Sequence, residues 1–209
     1  MIATASTYYF PNKLGRMLLL AFEEVIGKSG INAVLNLSLL PHLIDNYPPA
    51  DDQKTISFET IGRFQFVLEQ AYGPHGGRGL ALRTGRVFFS SCMRAFSPDL
   101  GFSDPTFRLQ PPDLKVVAAL KSLKDFFNRY TNQQISLEET EQKFLWRIES
   151  CPWCWGRQES EPICHFAVGI LQEALYWVSG GKFYDVSEET CVAQGDKFCL
   201  IAIDRLPLA

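Results

Sequence analysis

Cys164-His165-Phe166-Ala167-Val168-Gly169, followed by Glu188-Glu189-Thr190-Cys191 and Gly195-Asp196-Lys197-Phe198-Cys199, carries the densest pattern of helix, strand and ligand-type residues in the chain. Residues 164–179 have the apolar spacing of a helix that stops at Gly180-Gly181, glycines being the usual helix terminators. Residues 182–186 and 198–203 read as strands. Three thiols and neighbouring carboxylates at the ends of these elements are the donor types of a four-coordinate zinc site. Cys164 stands where the helix begins, and the positive end of a helix favours a thiolate. Cys191 and Cys199 flank an expected hairpin at Gln194-Gly195-Asp196. A three-residue loop sets their side chains on one face; a two-residue loop sets them on opposite faces, because side chains alternate along a strand. In a regular strand Glu189 shares the face of Cys191, whereas Glu188 reaches it only through a turn or bulge. The competing reading is three inert thiols in an apolar core.

Just upstream lies Cys151-Pro152-Trp153-Cys154. This CxxC reads as a zinc half-site, a redox dithiol or part of an iron–sulfur site. Cys151 and Cys154 are therefore alternate ligands, with His165 in reserve. The residues after Cys154 do not start a clear helix, which weakens the thioredoxin-like reading.

Working outward, residues 143–149 and 134–138 alternate like strands. Residues 113–130 form a strong helical pattern. Helices are also expected over 13–27, 31–40, 57–71 and 80–96. Gly76-Gly77-Arg78-Gly79 reads as a flexible turn; it lacks the strand before it and the Lys-Ser or Lys-Thr after it that a phosphate loop needs. Arg78, Arg83 and Arg86 beside it are candidates to grip a ligand carboxylate. Residues 97–112 carry four prolines and read as an irregular connection. Helices thus come first, and strands around one long helix follow. That order implies an α+β fold with helices packed on a mainly antiparallel sheet.

The chain has 209 residues, enough for one large domain. We read residues 1–209 as one domain, with 1–55 a helical extension and 132–209 the sheet and metal-binding portion. A net charge of −3 leaves no footprint for nucleic acid. No apolar run approaches the roughly 20 residues of a membrane span. The first twelve residues lack the pattern of a secretory leader, so a cytoplasmic protein is expected. There, six cysteines point to metal or redox chemistry rather than disulfides. No Ser/His/Asp set or paired catalytic carboxylate can be argued, and the chain is expected not to be an enzyme.

The run of Cys164 through Gly169 with Glu188, Cys191, Gly195 and Cys199 resembles the signature of the 4-vinyl-reductase (4VR) domain family. That family is similar in fold to TRAPP subunits of the Bet type and to phenol-sensing domains. The resemblance implies a TRAPP/4VR-like α/β plait and zinc held by Cys164, Glu188, Cys191 and Cys199. The first-to-second cysteine spacing here is one residue longer than in those sensors, which implies a small loop difference. It also implies a cavity for a hydrophobic or tetrapyrrole-like ligand, which the wealth of aromatic residues suits, and a homodimer paired through helices. The function expected is a zinc-braced sensor or carrier module. The alternative is a vinyl-reductase-related enzyme or accessory factor in (bacterio)chlorophyll synthesis, using an iron–sulfur cluster.

Overall fold

The computed structural model describes residues 8–208; most of the stretch read for a leader lies outside them. A short strand β1 (Tyr9–Pro11) leads into the long helix α1 (Asn12–Leu37). After a 3₁₀ turn at Pro41–Leu43 come β2 (Lys54–Ser57), α2 (Phe58–Tyr72) and α3 (Pro74–Phe96). A single turn of helix, α4 (Pro105–Arg108), interrupts the proline-rich connection before α5 (Pro112–Tyr130). The strands β3 (Ile135–Glu139) and β4 (Lys143–Ile148), the helix α6 (His165–Val178), and the strands β5 (Tyr184–Thr190) and β6 (Cys199–Pro207) complete the chain.

Local chemistry explains the helical half. The two helices expected over 13–27 and 31–40 are one kinked element, broken where Gly27 takes φ 74°. Ser57 caps α2 by accepting a hydrogen bond from the Thr60 N–H at 3.1 Å. Gly73, at φ 76°, ends α2, and Pro74 starts α3 at a position where no N–H is missed. The glycines at 76, 77 and 79 are therefore not a turn but the first turns of α3. Gly77 has a packing reason: a β-carbon there would sit 2.5 Å from the Glu69 Cα. The same device brings α3 against α6. A β-carbon on Gly85 would meet the Phe166 carbonyl oxygen at 2.1 Å, and one on Gly169 the Leu82 carbonyl oxygen at 2.0 Å.

The four-stranded antiparallel sheet has the order β3-β4-β6-β5. Phe144, Trp146 and Ile148 of β4 alternate with residues that face outward, and Cys199, Ile201 and Ile203 of β6 do the same. Those inward side chains join the core beneath α6. Asn128 ties α5 to β3 by bonding both the N–H and the carbonyl of Ile135 at 2.7 Å. α1 packs on α3 and contributes Leu14, Leu18, Phe22 and Val34 to the same core. Helices thus dominate, and the sheet is one end of a largely helical body rather than the frame on which helices are laid. Among the described residues no helix is long and apolar enough to cross a membrane.

Candidate metal and ligand sites

Five of the six cysteines converge beneath the N-terminus of α6. Cys151 and Cys154 come from the irregular segment after β4, Cys164 from the N-cap of α6, Cys191 from just past β5, and Cys199 from the start of β6. All are free and buried. Sγ of Cys164 lies 3.2 Å from Cys151, 3.8 Å from Cys191 and 3.7 Å from Cys199. Cys199 lies 3.5 Å from Cys154 and 3.9 Å from Cys191. A metal–sulfur bond of about 2.3 Å in tetrahedral geometry separates its sulfurs by about 3.8 Å. The Cys164–Cys191–Cys199 triangle already has those edges. Cys92, in α3, stands apart, its thiol pushed up by burial.

Glu188 joins the cluster through a register shift between Glu188 and Thr190. One carboxylate oxygen accepts the Cys164 N–H at 2.7 Å, while the other is buried without a partner. Glu189 points away and pairs with Lys143 at 2.8 Å, so the alternate acid is outside the site. No tight hairpin joins Cys191 to Cys199. A 3₁₀ turn at Val192–Gln194 and a left-handed Gly195 connect them, and both thiols still face inward. His165 lies beside the cluster but is not among the donors that come within reach of one ion. Burial, then the charge of Arg78, lowers its pKa.

Two four-donor sets meet here, Cys151/Cys154/Cys164/Cys199 and Cys164/Glu188/Cys191/Cys199, each with all donor atoms within 4.8 Å. Without an ion the cluster confines its negative charge. The neighbouring thiols, Cys154 foremost and then Cys164 and Cys199, draw the Cys191 pKa down. Burial pushes Cys151 up to about 11 and raises Cys164. Burial, then the Cys191 charge, pushes Glu188 up to about 8. A cation would reverse these costs.

The segment that delivers Cys151 and Cys154 is held from two sides. Arg157 makes a bidentate pair with Glu69 at 3.1 and 2.8 Å and a further bond to Glu159 at 2.6 Å. Trp153 stacks on Phe166 of α6 at 3.9 Å between centroids. Nothing in the sequence marked Arg157–Glu69, because the partners are 88 residues apart. Two of the three arginines read as ligand grips serve the fold, Arg78 pairing with Glu161 and Arg86 donating to Gln172 at 2.6 Å; Arg83 is exposed.

Two other spaces bear on ligands. Between α6, α5 and the inner face of the sheet remains a void of ≈ 20 Å³, lined by Phe88, Phe127, Trp146, Trp153, Phe166 and their neighbours. An open groove of ≈ 870 Å³ runs between the start of α5 and the ends of β4 and β6, with Leu114, Val117, Phe144 and Leu206 among its walls.

Solved structures of one kind share this architecture. An oxygen-binding H-NOX domain related to soluble guanylate cyclases superposes with TM-score 0.60 at 10% identity, covering 95% of this chain and 97% of that one. An H-NOX protein from S. oneidensis in the Fe(II)NO state gives 0.55 at 13%, over 93% and 99%. The Fe(II) unliganded H-NOX protein from K. algicida gives 0.59 at 12%, over 95% and 97%. The fold is the H-NOX fold. No protein-family model and no curated protein matches the sequence.

This likeness corrects several expectations. The resemblance to the 4VR family and its TRAPP-like α/β plait is overturned; the fold is the mostly helical H-NOX one. The 4VR signature misled because its 40 or so residues sit in the α6–β5–β6 unit, while the helical body that defines the fold lies outside it. The zinc-braced 4VR-type module, the vinyl-reductase alternative, and zinc or an iron–sulfur cluster as cofactor go with it, since those solved structures concern heme proteins. They include an oxygen-binding domain.

The heme of those structures does not fit the residues present here. Heme iron takes an axial His, Cys, Met or Tyr. Among the described residues none lines the interior void, where Gln133 is the one polar amide wall, and its volume holds about one water. His42 and His75 are exposed, and His165 belongs to the thiol end of α6.

Proposed function

We propose that this chain is a non-catalytic, regulatory binding module of the H-NOX fold whose responsive centre is a metal–thiolate site in place of heme. The observation that carries the reading is the convergence of Cys151, Cys154, Cys164, Cys191 and Cys199 with the orphaned carboxylate oxygen of Glu188. Buried polar atoms without partners are rare and call for an explanation, and a bound cation is one. The α6 N-terminus and the Val192 N–H, 3.4 Å from the Cys199 sulfur, add positive potential. Six free cysteines suit a reducing cytoplasm. The 870 Å³ groove has the size of a small-molecule site, and its walls mix Leu114, Val117 and Phe144 with Asp113, Glu139, Lys143 and Arg205, which supports a small molecule with both apolar and polar groups bound at the surface. Exposed Phe183, Leu206 and Leu208 give a homodimer a face, which light scattering tests. The central experiment is anaerobic purification followed by elemental analysis and an absorption spectrum. Tightly bound metal, no Soret band and a chelator-induced fall in Tm are expected. A stable metal-free protein, or one carrying stoichiometric heme, would refute the reading.

A further inference from the structure

The two four-donor sets overlap. They share Cys164 and Cys199 and differ in the remaining pair, Cys151/Cys154 in one and Cys191/Glu188 in the other. Six donors therefore converge, while a closed site of one thiophilic ion takes four. One ion in the first set would leave the Glu188 oxygen unpartnered and buried. One ion in the second would leave Cys151, 3.2 Å from Cys164, and Cys154, 3.5 Å from Cys199, pressed against occupied ligands.

Resting on the metal–thiolate reading above, we infer that the cluster holds two thiophilic divalent ions bridged by the sulfurs of Cys164 and Cys199. Cys151 and Cys154 complete the first ion's tetrahedron; Cys191 and Glu188 complete the second. Every donor is then used, and each ion has four. Electrostatics permits it. One divalent ion on four anionic donors leaves two negative charges; the second arrives with two further anionic donors, so the buried net charge is unchanged. Loading releases the thiol protons to solvent. The bridging sulfurs are the two best supported: Cys164 stands at the α6 N-terminus, and Cys199 receives the Val192 N–H.

Cadmium is the probe. The full-length protein, stripped of metal under reducing conditions, is titrated with ¹¹³Cd(II) and followed by native mass spectrometry and ¹¹³Cd NMR. Two ions per chain are expected, with two resonances, one from four sulfurs and one upfield of it from three sulfurs and an oxygen. Glu188→Gln should move the second resonance and leave the first near its place. Cys151→Ser/Cys154→Ser should retain a single ion, with circular dichroism checking that the variant is folded. Saturation at one ion overturns the two-ion cluster and leaves the metal–thiolate reading standing. Failure to bind any ion overturns both.

Discussion

Trp153→Ala tests whether the interior is plugged as described. The indole is 2% exposed, lies 27° from parallel over Phe166 at 3.9 Å, and meets the Phe10 ring edge-on at 6.4 Å. The void it borders is ≈ 20 Å³, so nothing nearby is poised to fill the space it leaves. Large-to-small aromatic deletions in such sites cost about 3–5 kcal/mol, because transfer energy and cavity energy are lost together. For a chain of this length about 4 kcal/mol corresponds to a fall in Tm of roughly 8–16 °C. Guanidinium unfolding should show a lower midpoint at unchanged slope. The new cavity is apolar and flat-walled, so indole should restore stability to the variant and not to the parent. At a hundredfold excess over Kd the rescue is about 2.7 kcal/mol. A loss below about 1 kcal/mol with no indole effect would refute the reasoning. It would mean that Trp153 is loosely seated and that the interior can yield to a larger ligand.

Glu69→Ala should cost about 3 kcal/mol, the low end for breaking a buried pair because Arg157 keeps Glu159; its coupling to Arg157→Ala in a double-mutant cycle checks it. Burial pushes the Glu69 carboxyl up, but hydrogen bonds from Arg157 and Gln65 outweigh it and hold it below the usual range. The stability this pair supplies is therefore fully present above the unfolded-state value and lost as pH falls through the lower folded one, so the acid limb should flatten in Glu69→Gln. Gly169→Ala drives a methyl to 2.0 Å from the Leu82 carbonyl and should lose about 1–3 kcal/mol or more by calorimetry, whereas Gly79→Ala, in open helical surface, should gain about 0.5–1 kcal/mol. Competition with a chromophoric chelator should show weaker metal binding in Glu188→Gln and none of that loss in Glu189→Gln, whose carboxylate faces Lys143.

The helices of the body were legible because each buries one face and the apolar spacing shows it, as in Phe58, Ile61, Phe64 and Leu68 of α2. The strands were legible from alternation. What pattern alone misread was glycine. At 76–79 the pattern reads as a flexible turn, yet Gly77 is there because α2 passes too close for a β-carbon. Gly85 and Gly169 do the same for α3 and α6, and the partner of such a contact is invisible until the chain is folded. The site was legible in part. The cysteines and the two carboxylates were picked out, and strand periodicity argued for Glu189 over Glu188. The register shift after Glu188 reversed that preference, and a bulge leaves no mark in hydrophobic alternation. Cys151 and Cys154, alternate ligands on spacing alone, lie with the later cysteines in the fold, sharing Cys164 and Cys199 as neighbours.

Trp153 and the thiol cluster lie on the same stretch of chain, and that joins interior to site. Residues 149–164 form no strand or helix, so little backbone bonding fixes their path. Their position depends on side-chain anchors, among them Arg157 on Glu69, Trp153 on Phe166, Trp155 on Tyr8 and Phe58, and the sulfurs of Cys151 and Cys154. Trp153 sits between those two cysteines, one residue from Cys154 and two from Cys151. An ion that fixes both sulfurs fixes the intervening backbone and with it the indole over α6. Removing the ion leaves Cys151 and Cys154 as weakly interacting thiols, and the energy of seating Trp153 must then come from the ring contacts alone. On the metal–thiolate proposal, metal binding at the cluster is folding energy, so occupancy of the cluster and the seating of Trp153 over α6 are thermodynamically linked.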